Sequence, residues 1–146
     1  AGGGAAAAGR KPQDIKLYQR LACGVADDRE AVRAEVRGYA SIAAGTIWSA
    51  IPREDIPDDL YADLQRMKAR YDYQRHGDMH AEHAGLITDR ILDAVAIAGT
   101  PEEAVPRFRT LIDLGVENFV LPIATKHPDR IIETLAERVL PALEPA

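Results

Sequence analysis

One cysteine, Cys23, stands among 146 residues, so no internal disulfide can form. That usage suits a reducing, cytoplasmic compartment. Basic charge is also in short supply. The 18 Lys and Arg face 23 Asp and Glu, for a net charge of -5, which argues against nucleic acid and anionic membrane surfaces as partners. Long apolar runs are missing as well. The longest weakly polar stretch, residues 41–51, is too short to span a bilayer, and residues 1–10 lack the apolar centre of a secretory signal. The chain opens on alanine rather than methionine, which is compatible with an engineered start, with processing, or with a piece cut from something longer. What remains, 47% hydrophobic and 28% charged, is the composition of an ordinary soluble domain long enough for a real core.

The most informative stretch is Val95 to Leu143. Val95 to Ala98 reads as a short buried strand ended by Gly99. A helix start follows at once: Thr100 as N-cap, Pro101 in the first turn, and Glu103 completing a Thr-x-x-Glu capping box. Val105, Phe108 and Ile112 give that helix an apolar face, and Gly115 is placed to end it. Residues 117–122 predict a second strand, and 129–143 a second helix. Strand, helix, strand, helix with continuous apolar strands predicts parallel strands buried on both faces.

Towards the N-terminus, Ala5 to Ala8 followed by Gly9 and Pro12 read as the tail of a helix rather than a flexible linker. Ile15, Leu17, Leu21, Cys23 and Val25 alternate as in a strand, broken only at Gln19. Asp27 as N-cap and Glu30 after it open a helix carrying Val32, Val36, Tyr39 and Ala43, expected to stop near Gly45. Residues 46–90 change rhythm. Two Ile-Pro steps interrupt helix, Asp58-Asp59 opens a short helix with Leu60, Leu64 and Met67, and the string Tyr71 to Gly77 is polar and aromatic. Thr88 and Asp89 then start a last short helix. An excursion of this length is functional or disordered, and its apolar and aromatic content predicts that it folds. No internal repeat is present.

Three segments together resemble the C-terminal part of the luciferase-like oxidoreductases. They are Ile87-Thr88-Asp89-x-Ile91-Leu92-Asp93, the turn Ala98 to Glu103, and the helix end Leu114-Gly115-Val116. The string Tyr71-Asp72-Tyr73…His76-Gly77…Ala81-Glu82-His83-Ala84 is similar to the deazaflavin-using branch, akin to methylenetetrahydromethanopterin reductases. The resemblance implies a partial (β/α)8 barrel over residues 1–146: about three of the eight strand–helix units, with residues 46–90 inserted. It implies hydride transfer between a deazaflavin or FMN and a small organic substrate, with an oxygen-activating monooxygenase as the alternative. A non-enzymatic α/β binding module is the third. Open strand edges make self-association into a homo-oligomer expected, and a partial barrel is expected to offer only part of a cofactor pocket.

His76, His80 and His83 have spacings that suit one helical face, and three histidines plus water is a catalytic zinc arrangement. Gly77 interrupts that face and no His-Glu-x-x-His pattern is present, so no metal is expected. His76 and His83 are instead candidates for lining a cofactor pocket, weighed against ordinary packing in the insertion. Barrel enzymes act at the C-terminal ends of their strands, here Gly24 to Asp27, Gly99-Thr100 and Ala124 to His127. Thr125 and Lys126 put a hydroxyl and a cation just ahead of a helix and are the candidate phosphate contacts, weighed against an ordinary capped, solvated helix end. The capped turn at Thr100 is a poor phosphate site because Glu102 and Glu103 would repel it. Tyr39, Trp48 and Cys23 read as packing residues.

Overall fold

The structure, a computed structural model, describes residues 2–11, 15–16 and 18–144, without the side chains of 2, 3 and 46–48. Leu17, Pro12 and the Trp48 side chain therefore lie outside the described residues. The chain opens with helix α1 (Gly2–Ala7), closed by Gly9 at φ 68°. The Arg10 N–H bonds Ala5 O and the Gly9 N–H bonds Ala6 O, a Schellman end, so the helix-tail expectation holds.

Strands β1 (Tyr18–Arg20) and β2 (Ala22–Val25) are one extended run broken only at Leu21. β3 (Ala96–Gly99) runs parallel to β2, with Cys23 opposite Ile97, and β4 (Asn118–Val120) runs parallel to β1, with Gln19 opposite Phe119. The N–H groups of Leu21 and Cys23 point to Val120 O and Pro122 O, whereas the Ala26 N–H points to Gly99 O. Successive N–H groups of a strand point to opposite edges, so β1–β2 lies between β3 and β4. The expected strand at 95–98 is displaced by one residue, because Val95 still closes helix α5 (Asp89–Val95), which runs directly into β3.

Helices cover both faces of β2 and β3, whereas β1 is exposed and β4 half-exposed, so the expected burial on both faces fails for the strand at 117–122. Ala22, Ala96 and Ala98 join a core with Val36, Ala40 and Ala44 of α2 (Arg29–Ala50) and with Leu64, Met67, Ile87, Ile91 and Leu92 of the 46–90 segment. Leu21, Cys23, Val25 and Ile97 join a second core with Ala104 and Phe108 of α6 (Pro101–Asp113) and with Ile131, Leu135 and Val139. Alternating side chains face opposite ways, so the result is a three-layer α/β/α arrangement. A closed barrel keeps its helices outside and each strand beside its chain neighbours; here β1–β2 separates β3 from β4.

Helix α2 corrects two expectations. Its N-cap is Asp28, whose Oδ1 accepts the Ala31 N–H, while Asp27 turns away to pair with Arg138. It also continues past Gly45 to Ala50, because Gly45 takes no left-handed conformation and the chain stops helix only at the Ile51-Pro52 step. The 46–90 segment is folded, as expected. It contains α3 (Asp58–Ala69), α4 (Glu82–Gly85) and α5, with single 3-10 turns at 53–55 and 73–75. Asp63, buried on α3, accepts from the Thr88 hydroxyl that caps α5.

The capping box of α6 is complete. Thr100 Oγ1 accepts the Glu103 N–H at 3.4 Å and Glu103 Oε2 accepts the Thr100 N–H at 3.0 Å. The helix ends in a second Schellman motif at Gly115, φ 90°. Thr100→Ala should cost about 1 kcal/mol in chemical denaturation; unchanged stability would mean the cap is dispensable. The last helix runs from α7 (Pro128–Thr134) through a π-helical turn (Leu135–Val139) into α8 (Leu140–Leu143). Pro141 has no N–H to continue the ladder, and the turn ahead of it loosens so that the Leu140 N–H reaches Leu135 O.

Candidate functional site

His76 and His83 are brought together by Tyr71. The Tyr71 ring stacks on His83 at 4.4 Å between centroids and meets His76 edge-on at 5.8 Å, and the Tyr71 hydroxyl bonds His76 Nδ1. Tyr73 closes the group edge-on against Tyr71 at 4.9 Å. The two histidines differ in burial: His76 is exposed and His83 has no exposed surface. His83 Nδ1 accepts the Asp72 N–H at 3.2 Å, which places the ring proton on Nε2, and Nε2 has no partner among the described residues.

Burial pushes the His83 imidazole below its ordinary range, against the smaller pull of the Asp72 carboxylate. Below about pH 6.5 the unfolded chain takes up a proton that folded His83 refuses, so stability should fall as pH drops through that window. His83→Phe keeps the stack and removes the titration. Its urea midpoint should fall less steeply with acidification than that of the wild type, and parallel slopes would assign the pH dependence elsewhere.

The histidine trio does not share a helical face. Gly77, φ 78°, turns the chain after His76, His80 is exposed in the following turn, and only His83 is helical. Among the described residues no group of His, Cys, Asp or Glu is arranged to hold a metal ion.

Thr125 and Lys126 lie in the loop between β4 and α7, at the C-terminal ends of the strands. The Thr125 methyl sits beside Gly24, the third residue of β2, and its Oγ1 is buried with no partner. The Lys126 N–H donates to Glu35 Oε2 of α2 at 3.1 Å, and its exposed ammonium makes no ion pair among the described residues. Gly24 is required here because a Cβ would come within 2.5 Å of Val36 Cγ2 and 2.8 Å of Val32 Cγ2. No hydrogen bond or ring contact among the described residues joins the Thr125–Lys126 pair to the His76–His83 pair. α2 touches both, through Glu35 to the first and through Gly38, packed on Met79, to the second.

Cys23 is a packing residue. It is fully buried, and burial pushes its thiol up to about 12. Tyr39 packs half-buried on the α2 core, its hydroxyl taking Arg20. The C-terminal ends of β2 and β3 are tied by Arg138, which pairs with Asp27 and Glu102 at 2.6 and 3.0 Å. A cavity of about 620 Å3 opens at the other end of the strands. It is lined by Leu21, Ala22, Tyr39, Val95, Arg107 and Leu111 among others.

Sequence reasoning missed two groups. Tyr71 was legible only as part of a polar string, because its partners converge through turns. Arg33 left a signal that could have found it: Arg29, Arg33 and Arg37 recur every four residues on α2, as do Asp89 and Asp93 on α5. Such ladders face one another when the two helices pack. Arg33 indeed meets Asp89 and Asp93 at 3.0 and 2.8 Å, and Arg37 meets Asp89 at 2.6 Å.

The family model of luciferase-like monooxygenases matches residues 3–118. Over 120 residues the chain is 32% identical to the 5,10-methylenetetrahydromethanopterin reductase of Methanolobus tindarius, covering 80% of this chain and 34% of that protein. Its fold is similar to that of the coenzyme F420 dependent tetrahydromethanopterin reductase from Methanopyrus kandleri. That match has a TM-score of 0.73 at 18% identity, over 98% of this chain and 40% of the other. The chain thus spans between a third and two fifths of the length of these two relatives. No helix among the described residues is long and apolar enough to cross a membrane. Since the family model takes in most of the sequence, and nearly a third of the aligned residues are shared with one of the reductases, the chain belongs to the luciferase-like monooxygenase family.

Proposed function

We propose that this chain is a C-terminal portion of an oxidoreductase of the (β/α)8-barrel kind, its own strands laid out as the open α/β/α arrangement described above, that transfers a hydride between a deazaflavin of the coenzyme F420 type and a small organic substrate. The observation that carries this is the 32% identity to a methylenetetrahydromethanopterin reductase, extending over 80% of the chain. The fold match to a protein whose name includes coenzyme F420 supports the deazaflavin over FMN. The residues present fit such a group in one respect: the loop at the C-terminal strand ends holds a buried hydroxyl, Thr125 Oγ1, beside a cation, Lys126, and neither has a partner for these groups among the described residues. Buried polar atoms are normally paired, and a cofactor oxygen would pair this one. When bound, the deazaflavin supplies the carbon that accepts or gives the hydride. Thr125 would donate to a cofactor oxygen, and Lys126 would balance negative charge. The His83 Nε2–H is a second spare donor, set in the insertion with Tyr71.

The family's own description as monooxygenases favours a second reading, oxygen activation on FMN. Titrating the chain into coenzyme F420 and, separately, FMN, with fluorescence as the readout, tests both. The expected result is quenching of the deazaflavin that saturates only at about 100 μM or above, the weakness of a partial pocket, with weaker quenching of FMN. Thr125→Val and Lys126→Gln should each weaken the deazaflavin response. Preference for FMN overturns the deazaflavin assignment, and no response to either overturns the assignment of cofactor contacts to this part of the protein. Saturation near 1 μM would overturn the partial barrel in favour of a self-contained site.

A further inference from the structure

The Arg33 side chain is only 3% exposed, yet its guanidinium is incompletely paired. Nη1 donates to Asp93 Oδ1 at 2.8 Å and to the Ala98 carbonyl at 3.0 Å, and Nη2 donates to Asp89 Oδ1 at 3.0 Å. Nε–H has no acceptor among the described residues. A charged donor taken out of water without a partner carries its full desolvation cost, and such atoms are rare in folded proteins.

Arg33 forms part of the wall of a cavity of about 370 Å3 along the edge of β3 away from β2. The other charged walls are Arg29, Arg107, Asp93 and Glu103, and the floor is Ile97, Ala98 and Ala104. Three guanidinium groups thus meet two carboxylates. Their exposures differ: the Asp93 and Glu103 side chains are 52% and 46% exposed, against 3% for Arg33. Asp93 and Asp89 hold the two Nη groups of Arg33 and Glu103 holds Arg29, so the donor these carboxylates leave over, among the described residues, is the Arg33 Nε–H.

We propose that this cavity binds the carboxylate or phosphate group of a small molecule, which accepts from the Arg33 Nε–H while Arg29 and Arg107 flank it. A guanidinium matches either oxyanion through paired N–H donors, and its Asp89 contact is made by Nη2 alone, leaving the Nε side for a ligand oxygen. The site is separate from the proposed cofactor contacts, because His76, His83, Thr125 and Lys126 do not line it.

The Arg33 Nε–H has its own cross-peak in a proton–nitrogen correlation spectrum. It is assigned by its loss in Arg33→Lys or, should that variant not fold, by through-space contact with Ala98. Sodium succinate and inorganic phosphate, titrated separately at constant ionic strength, are the probes. Saturable movement of that peak is expected; succinate alone assigns the carboxylate, phosphate alone the phosphate, and both the shared oxyanion chemistry. Arg107→Gln should weaken the response about tenfold, the loss of one charge-assisted contact. A peak that stays in place through ~50 mM of both probes, or that moves equally with sodium chloride, overturns the proposal.

Discussion

Gly38→Ala should destabilise the protein by about 2 kcal/mol, although the same change in an exposed helix stabilises by about 1 kcal/mol. Gly38 lies inside α2, where alanine is the better helix former. A Cβ there would lie 2.6 Å from Met79 N, 2.7 Å from Met79 Cα and 2.8 Å from Gly77 O. These are backbone atoms, so no rotamer change relieves the clash; α2 and the 77–79 turn must move apart. That turn joins His76 to α4, which carries His83. Amide exchange should therefore speed up across residues 76–85, while β2 and α6 keep their protection. A lower urea midpoint with that pattern is the expected outcome. A more stable Gly38→Ala protein would mean that the turn yields freely and that close approach does not hold the insertion on α2.

Phe108→Ala should cost about 3–5 kcal/mol, a large share of the roughly 5–15 kcal/mol that keeps a domain folded. Phe108 is 3% exposed and sits among Ile97, Ala104, Leu135 and Val139. Its ring meets Phe119 of β4 edge-on at 5.3 Å and 89°, an aromatic geometry that adds to burial. The side chain thus joins the helix after β3 to the strand on the far side of β1–β2, and no other aromatic pair spans that layer among the described residues. Removing it should loosen α6, β4 and the last helix first, with α2 and the insertion keeping their amide protection longer. A loss below about 1 kcal/mol would show that Leu135 and Val139 collapse into the space.

What the sequence made legible was local. The Thr100 capping box, the Gly9 and Gly115 helix ends and the Thr88 cap each rest on two to six neighbouring residues, and each was found where expected. The boundaries that moved depend on competition. Asp27 and Asp28 are equally good caps in sequence, and the choice fell to Asp28 because Arg138, 111 residues away, takes Asp27. Gly45 looked like a helix end, but a glycine ends a helix only when it turns left-handed, and this one does not. For the site, sequence supplied the donor types and their place at strand ends. It could not supply Tyr71 as the bridge between two histidines, since ring stacking across turns leaves no period to read.

By itself the sequence determined most element types and the parallel strands, because propensity, capping and alternation act over a few residues, and its motifs carried the likeness to luciferase-like proteins; burial on both faces held for β2 and β3 but not for β1, which is exposed, or β4, which is half-exposed. Only the tertiary structure decided which strand sits in the middle, which face each helix covers and which polar atoms are left without partners. β1–β2 lies between β3 and β4, and the two faces of these strands offer different surfaces. The side carrying Ala22, Gly24, Ala96 and Ala98 is small enough for α2 to seat closely, and the side of Leu21, Cys23, Val25 and Ile97 is bulky enough to need α6 and the last helix. The unpaired Thr125 Oγ1, His83 Nε2 and Arg33 Nε are consequences of that packing. Whether a donor finds an acceptor depends on groups far away in the chain, and only the folded molecule brings them near.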